Sequence, residues 1–364
     1  MDRRDFLSAA AVSGLSLHAS PGAPFRGFPE EGSPLRVALI GKDGHTNVVL
    51  DGMLGVPGAR LVALAKGRPE DGIAGIQKHK AFLPDTRIYE DYRRLLDQEK
   101  PHLVGICLPY AENAAAAREA AERGIHVLTE KPAATTLAEL DHLEAALKKS
   151  GTGFSMMLTL RSSPRFQAAR QAVRQGWVGE PILISSQKSY KFGRERPWFY
   201  KDARIYGGTI PWVGIHAIDF MRYVSGCEFT QVMTLQGNKA HPQWPGCEDF
   251  AGLLFRLQNG GTAVCHMDFL RPDSAPTHGD DRLRIAGSEG VLEVLESQEQ
   301  ITLFSSAGRQ LPKEMPQAPD LLASFVAFLR GKGAPLVGAE DALRITRICL
   351  LARDAAGKGS WVNL

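Results

Sequence analysis

From Leu35 onward, short runs of Val, Ile, Leu and Ala alternate with helix-like stretches, and that alternation narrows the possible folds sharply. LRVALI (35–40), ARLVALA (59–65), LVGICLP (103–109) and IHVLTEKP (125–132) read as strands. VVLDGML, ENAAAAREAAERG and TTLAELDHLEAALKKS, the last opened by a threonine cap, read as helices between and after them. Strands that are apolar throughout, separated by helices, specify a parallel sheet covered on both faces. Sheets of this kind gather ligands at the carboxyl ends of their strands. The loops at 41–47, 66–70, 109–113 and 129–132 are therefore expected around one crevice.

After about residue 155 the pattern changes. PILISSQKSYKF, EFTQVMTLQGN, DFAGLLFRLQNGGTAVCHMDFL, DRLRIAG, GVLEVLES and QITLFSS are strand-like, and several are joined by Gly or Asn-Gly turns. Runs of strands with few crossovers predict a largely antiparallel sheet. Two helices, PDLLASFVAFLRG and AEDALRITRICLLARDAAG, close the chain. The expected division is 1–33 as leader and linker, 34–155 as a parallel α/β domain, and 156–364 as an α+β domain. The closing helices are free to pack back on the first domain.

The 364 residues suffice for two cores, and a formal net charge of +3 gives no field suited to nucleic acid. Five cysteines, at 107, 227, 247, 265 and 349, form no CxxC pair, although Cys227 and Cys247 could join in an oxidising compartment. The start has Arg3-Arg4, Phe6-Leu7 and an apolar run from Ala9 to Leu17 that is too short to span a membrane. It resembles a twin-arginine export signal, of the kind that carries folded proteins into the periplasm; a disordered basic tail is the alternative.

Several residues could carry chemistry. The loop IGKDGHTN holds Gly41, Gly44 and His45, with Asp43 where a dinucleotide fingerprint has its second glycine. Asp43 either repels a pyrophosphate or points outward. After the second strand stand Lys66 and Arg68 rather than a carboxylate. They suit the 2′-phosphate of NADP, or they are two solvated charges. Glu130 and Lys131 sit at the tip TEKP, where a lysine can donate to a substrate oxygen. In YGGTIPWVGIHAID (206–219), Trp212, His216 and Asp219 would share one helical face, as a site or as a buried stripe. His241, His266 and His278 have no spacing that marks a metal site, and no metal is expected; a site of His216, Asp219 and a further histidine is the alternative.

Taken in order, GIHVLTEKP (124–132), MLTLRSSPRFQAAR (157–170), GWVGEP (176–181), GGTIPWVGIHAID and DDRLRIAGSEGVLEV (280–294) resemble the glucose–fructose oxidoreductase / inositol dehydrogenase (Gfo/Idh/MocA) superfamily. The resemblance covers nearly everything after residue 34. It implies a Rossmann domain, a second domain with a large open sheet, homo-oligomers formed through that sheet, and NAD or NADP chemistry on a carbohydrate. Lys131 matches the family's EKP lysine and His216 its catalytic histidine. Pro109, Asn113 and Glu130 fall at cofactor positions. Arg161 falls near cofactor and substrate, while Arg196, Trp198 and Tyr200 resemble the RPxW segment. These three would hold an oxygen-rich ring, or else belong to a solvated loop. Trp212 replaces the aspartate usual four residues before the histidine, and Asn113 stands where histidine is common. The leading expectation is an exported oxidoreductase with tightly held cofactor acting on a sugar or polyol. The alternatives are a redox-neutral glycoside hydrolase or lyase, and a sugar-binding protein that no longer turns over.

Overall fold

The computed structural model describes residues 23–306, 308–310 and 314–364. Arg3, Arg4 and the rest of the export-like start lie outside the described residues. Six strands build the first sheet: β1 (Leu35–Gly41), β2 (Ala59–Ala65), β3 (Arg87–Tyr89), β4 (Leu103–Cys107), β5 (His126–Thr129) and β6 (Phe154–Met156). They are all parallel, in the order β3-β2-β1-β4-β5-β6. β3 escapes a reading of apolar runs, because its three residues are mostly exposed at the sheet edge. Every residue of β4 and β5 is buried, since helices cover both faces. The strand order reverses between β1 and β4, which opens a crevice at their carboxyl ends.

The second sheet has nine strands: β7 (Pro181–Lys191), β8 (Phe229–Gly237), β9 (Phe250–Leu257), β10 (Thr262–Arg271), β11 (Gly279–Gly287), β12 (Gly290–Leu295), β13 (Gln300–Ser305), β14 (Gly308–Gln310) and β15 (Val362–Asn363). Their order is β14-β13-β12-β11-β7-β10-β9-β8-β15, and only β7 and β10 run parallel. One face packs on the helices Pro164–Arg174 and Ile215–Ser225. Leu183, Leu235, Val264 and Leu270 stand exposed on the other. The fold is thus a Rossmann domain followed by a mixed, mostly antiparallel open sheet.

Both closing helices pack on the first domain. A Cβ on Gly52 would meet Leu322 at 2.7 Å, so the helices Thr46–Leu54 and Leu321–Leu329 are in close contact. Ser155 donates to the Val337 carbonyl at 2.9 Å, and Arg347 of the helix Ala339–Asp354 reaches Asp141 and Glu144. Residues 25–31 join the folded body as well. Phe25 and Phe28 set their rings edge-on against His126, and Arg330 donates to the Pro29 carbonyl. All five cysteines are free, Cys227 and Cys247 included.

Candidate active site

The first loop is shaped by contacts from below. Gly41 and Gly44 both have φ near +80°, where other residues are strained. A Cβ on Gly41 would fall 2.0 Å from the Cys107 carbonyl oxygen, and one on Gly44 would fall 2.2 Å from Oε2 of Glu130. Asp43 donates its backbone N–H to the Cys107 carbonyl at 2.8 Å. Burial raises the Asp43 carboxyl to about 6, so its charge is more easily lost than an ordinary aspartate's. The helix Thr46–Leu54 starts here with no side-chain cap and no acid in its first turn. Its amino terminus therefore suits the pyrophosphate of a dinucleotide.

Glu130 fastens this loop to the tip of β5. It is fully buried, and its Oε2 accepts from the His45 backbone N–H at 2.6 Å and lies 2.7 Å from His45 Nδ1. Its Oε1 accepts from the Lys131 backbone N–H at 2.9 Å. Burial opposes ionisation of Glu130, but His45 and Lys131 outweigh it and hold the carboxyl below its usual value. Lys131 is 1% exposed. Its Nζ donates to the Trp212 carbonyl at 2.9 Å and lies 2.7 Å from the centre of the Trp212 ring. Burial pushes Lys131 well below its ordinary range against the pull of Glu130, and the charges of Lys188 and Arg196 push the same way.

His216 lies in the helix Ile215–Ser225, directly after a π-helical turn at Ile210–Gly214. Such turns recur at functional sites because they re-aim the side chains that follow. His216 is 2% exposed, and its Nδ1 is buried without a hydrogen-bond partner. Burial, followed by the charges of Lys131, Lys188 and His45, pushes its pKa well below the usual value. An imidazole held neutral can accept a proton.

The expected substrate residues divide. Trp212 lies between Lys131 and Tyr110, with its ring stacked 3.9 Å from that of Tyr110. Arg161 and Asp219 hold each other. Arg161 Nε and Nη2 donate to Asp219 at 2.9 and 2.7 Å, and Nη1 donates to Asp341 and the Leu336 carbonyl. Asp219 is thus engaged in a buried ion pair. Tyr200 is also buried, its hydroxyl 3.0 Å from that of Tyr110. Trp198 is 51% exposed, with Arg68 over its ring at 4.4 Å.

The remaining cofactor candidates are likewise engaged. Lys66 is paired with Glu90 at 2.9 Å and Arg68 with Glu112 at 2.6 Å. Pro109 precedes the helix Tyr110–Glu122, and Asn113 within it is buried, its Oδ1 accepting from the Leu108 N–H while Nδ2 has no partner. Sequence reading overlooked Lys188, Asp281 and Tyr110. Lys188 and Asp281 are a buried pair on β7 and β11, and only the sheet register brings them together. Among the described residues no group of three or more His, Cys, Asp or Glu could hold a metal. No helix among them is long and apolar enough to cross a membrane.

Comparison with known proteins identifies the family and the fold. Residues 35–157 match the oxidoreductase family with an NAD-binding Rossmann fold, and residues 166–293 match the Gfo/Idh/MocA C-terminal domain. The uncharacterized oxidoreductase YrbE of Bacillus subtilis (strain 168) is 30% identical over 56% of the chain and 58% of its own length. D-apiose dehydrogenase of Paraburkholderia graminis is 24% identical over 90% of the chain and 89% of its own. A Thermotoga maritima protein assigned as an oxidoreductase superposes with a TM-score of 0.86 and 34% identity, over 91% of this chain and all of its own. Levoglucosan dehydrogenase in complex with NADH and levoglucosan shares the fold, with a TM-score of 0.78 and 18% identity over 91% of this chain and 99% of its own. Fold and family together define a nicotinamide-dependent oxidoreductase. The chain belongs to the Gfo/Idh/MocA family.

Proposed function

We propose that the protein transfers hydride between NAD(H) and a hydroxyl-bearing carbon of a sugar or polyol. The reading rests on one observation: Lys131 and His216 are both sealed from water, and Lys131 Nζ donates to the Trp212 carbonyl, one helical turn before His216, while Glu130 ties Lys131 to the glycine loop at the carboxyl end of the parallel sheet. Bound NAD would supply the hydride acceptor. In the oxidising direction neutral His216 takes the hydroxyl proton, while Lys131 donates a hydrogen bond to the reacting oxygen. Trp212 offers the ring face of a sugar an apolar platform in place of a carboxylate. Relatives named for acting on D-apiose and scyllo-inositol support this substrate class. The expectation of NADP rested on Lys66 and Arg68, and a 2′-phosphate would have to displace Glu90 and Glu112 from them. We therefore read NAD as preferred.

Arg68, in the loop after β2 at the carboxyl end of the first sheet, lies over Trp198 of the second domain. This contact supports a cofactor that stays bound between turnovers. With the twin-arginine-like start, it favours export of the loaded, folded protein and a closed redox cycle outside the cytoplasm. The exposed apolar residues on the open sheet suit pairing with a second copy of the chain. The test is reduced-nicotinamide absorbance over a panel of sugars and polyols, together with mass spectrometry of small molecules released from the natively purified protein. Lys131→Ala and His216→Ala should each lower kcat by about 100-fold or more. Full activity in both variants would sink the reading.

A further inference from the structure

The second domain brings two more cations toward Lys131 and His216. Lys188 on β7 is sealed from solvent, paired with Asp281 at 2.8 Å, and lies 4.4 Å from the centre of the Tyr190 ring. Arg196, in the loop after β7, is held over Phe269 at 4.7 Å, Phe192 at 5.0 Å and Tyr200 at 5.4 Å. Its Nη2 donates to the Lys191 carbonyl at 2.6 Å. Arg196 lies over Tyr200, whose hydroxyl meets that of Tyr110, and Tyr110 stacks on Trp212, the residue whose carbonyl takes Lys131 Nζ. The charges of both cations act on Lys131, and Lys188 acts on His216 too. The carboxylates in contact with Lys131 and Lys188 are already engaged. Glu130 serves His45 and the Lys131 backbone N–H, and Asp281 serves Lys188. Arg196 has no carboxylate partner among the described residues, and its Nε–H is buried with no acceptor. The His216 Nδ1 is buried in the same unpartnered state.

The three rings attract the half-buried Arg196 guanidinium, but its buried Nε–H has no acceptor, and a buried donor left unpaired is costly. A neutral sugar hydroxyl can accept its N–H but leaves the charge unanswered. A planar carboxylate does both, and charge-assisted bonds of this kind are about twice as strong as neutral ones. We propose that the substrate is a carboxylated sugar, a sugar acid, whose carboxylate is seated by Arg196 with Lys188 behind it. Its reacting hydroxyl is thereby presented to Lys131 and His216. This inference rests on the oxidoreductase reading for its chemistry but on separate residues for its recognition.

The full-length protein, supplied with NAD, is offered the matched pairs glucose and glucuronate, and galactose and galacturonate, with glucose 6-phosphate alongside. Turnover is followed by nicotinamide absorbance and binding by calorimetry. The acid of at least one pair should exceed its neutral partner in kcat/KM by about ten-fold or more, the value of one charged hydrogen bond. Arg196→Gln should bring that ratio close to one, chiefly through KM for the acid, and Arg196→Lys should recover part of it. Neutral sugars turning over as well as acids would overturn the inference and leave the oxidoreductase reading standing. A preference for the phosphate, or an unchanged acid-to-neutral ratio in Arg196→Gln, would also overturn it. If no compound turns over, calorimetry decides. Acid bound about ten-fold tighter than its neutral partner, and not so in Arg196→Gln, upholds the carboxylate site while the redox reading falls. Equal binding, or none, removes the site as well.

Discussion

Asp219→Ala tests whether Arg161 and Asp219 are structural or belong to the substrate site. In the wild type the pair is bidentate, with side-chain exposures of 2% and 4%. Arg161 also ties Asp341 and the Leu336 carbonyl, so one guanidinium joins the turn at 159–162, the helix Ile215–Ser225 and the segment before the last helix. Removing Asp219 strands a buried cation. Breaking a buried pair in this way costs about 3–5 kcal/mol. Asp341 remains as a second, more exposed partner, which puts the expectation near about 3 kcal/mol, or over a hundred-fold in the unfolding equilibrium. Urea unfolding followed by tryptophan fluorescence measures it. The double variant Arg161→Met/Asp219→Leu should regain much of the loss, because an apolar pair needs no charge compensation. A single variant with unchanged stability and a raised KM for substrate would refute the structural assignment and return both residues to the site.

Three further outcomes are expected. Burial, with the nearby charge of His102 adding to it, lowers His126 from 6.5 to about 4, so the native state resists a proton that the unfolded chain accepts. Stability should be full above pH 6.5 and fall as pH drops toward 4, by about 3 kcal/mol in all, and His126→Gln should flatten that slope in denaturation curves taken across the range. Gly44→Ala adds left-handed strain of about 1–2 kcal/mol and drives a methyl into the Glu130 carboxylate. NAD affinity measured by calorimetry should therefore fall by about ten-fold or more, and unchanged binding would show that the loop is not the pyrophosphate seat. Glu90→Gln combined with Glu112→Gln frees Lys66 and Arg68, and the ratio of NADP to NAD affinity should rise. A ratio that does not move would show that neither cation faces the ribose.

The class of the molecule was legible in the chain. Apolar runs such as LVGIC and LRVALI have no polar alternation, and only a strand covered on both faces tolerates that. The order of short motifs pointed to the family, and TEKP marked a lysine at a strand end, because an apolar run followed by Pro132 is read along the chain. The partners of each charge were not legible. Asp219 is three residues from His216 in sequence, yet it turns to Arg161, which is 58 residues away. Lys188 and Asp281 meet only because β7 and β11 align in antiparallel register, and a register depends on the whole sheet. Lys66 and Arg68 looked like free cations until the fold brought Glu90 and Glu112 against them. Hydrophobic periodicity acts between near neighbours and can be read along the chain. Electrostatic pairing acts through space between residues that only the closed tertiary structure makes adjacent, so the chemistry of this crevice was decided there.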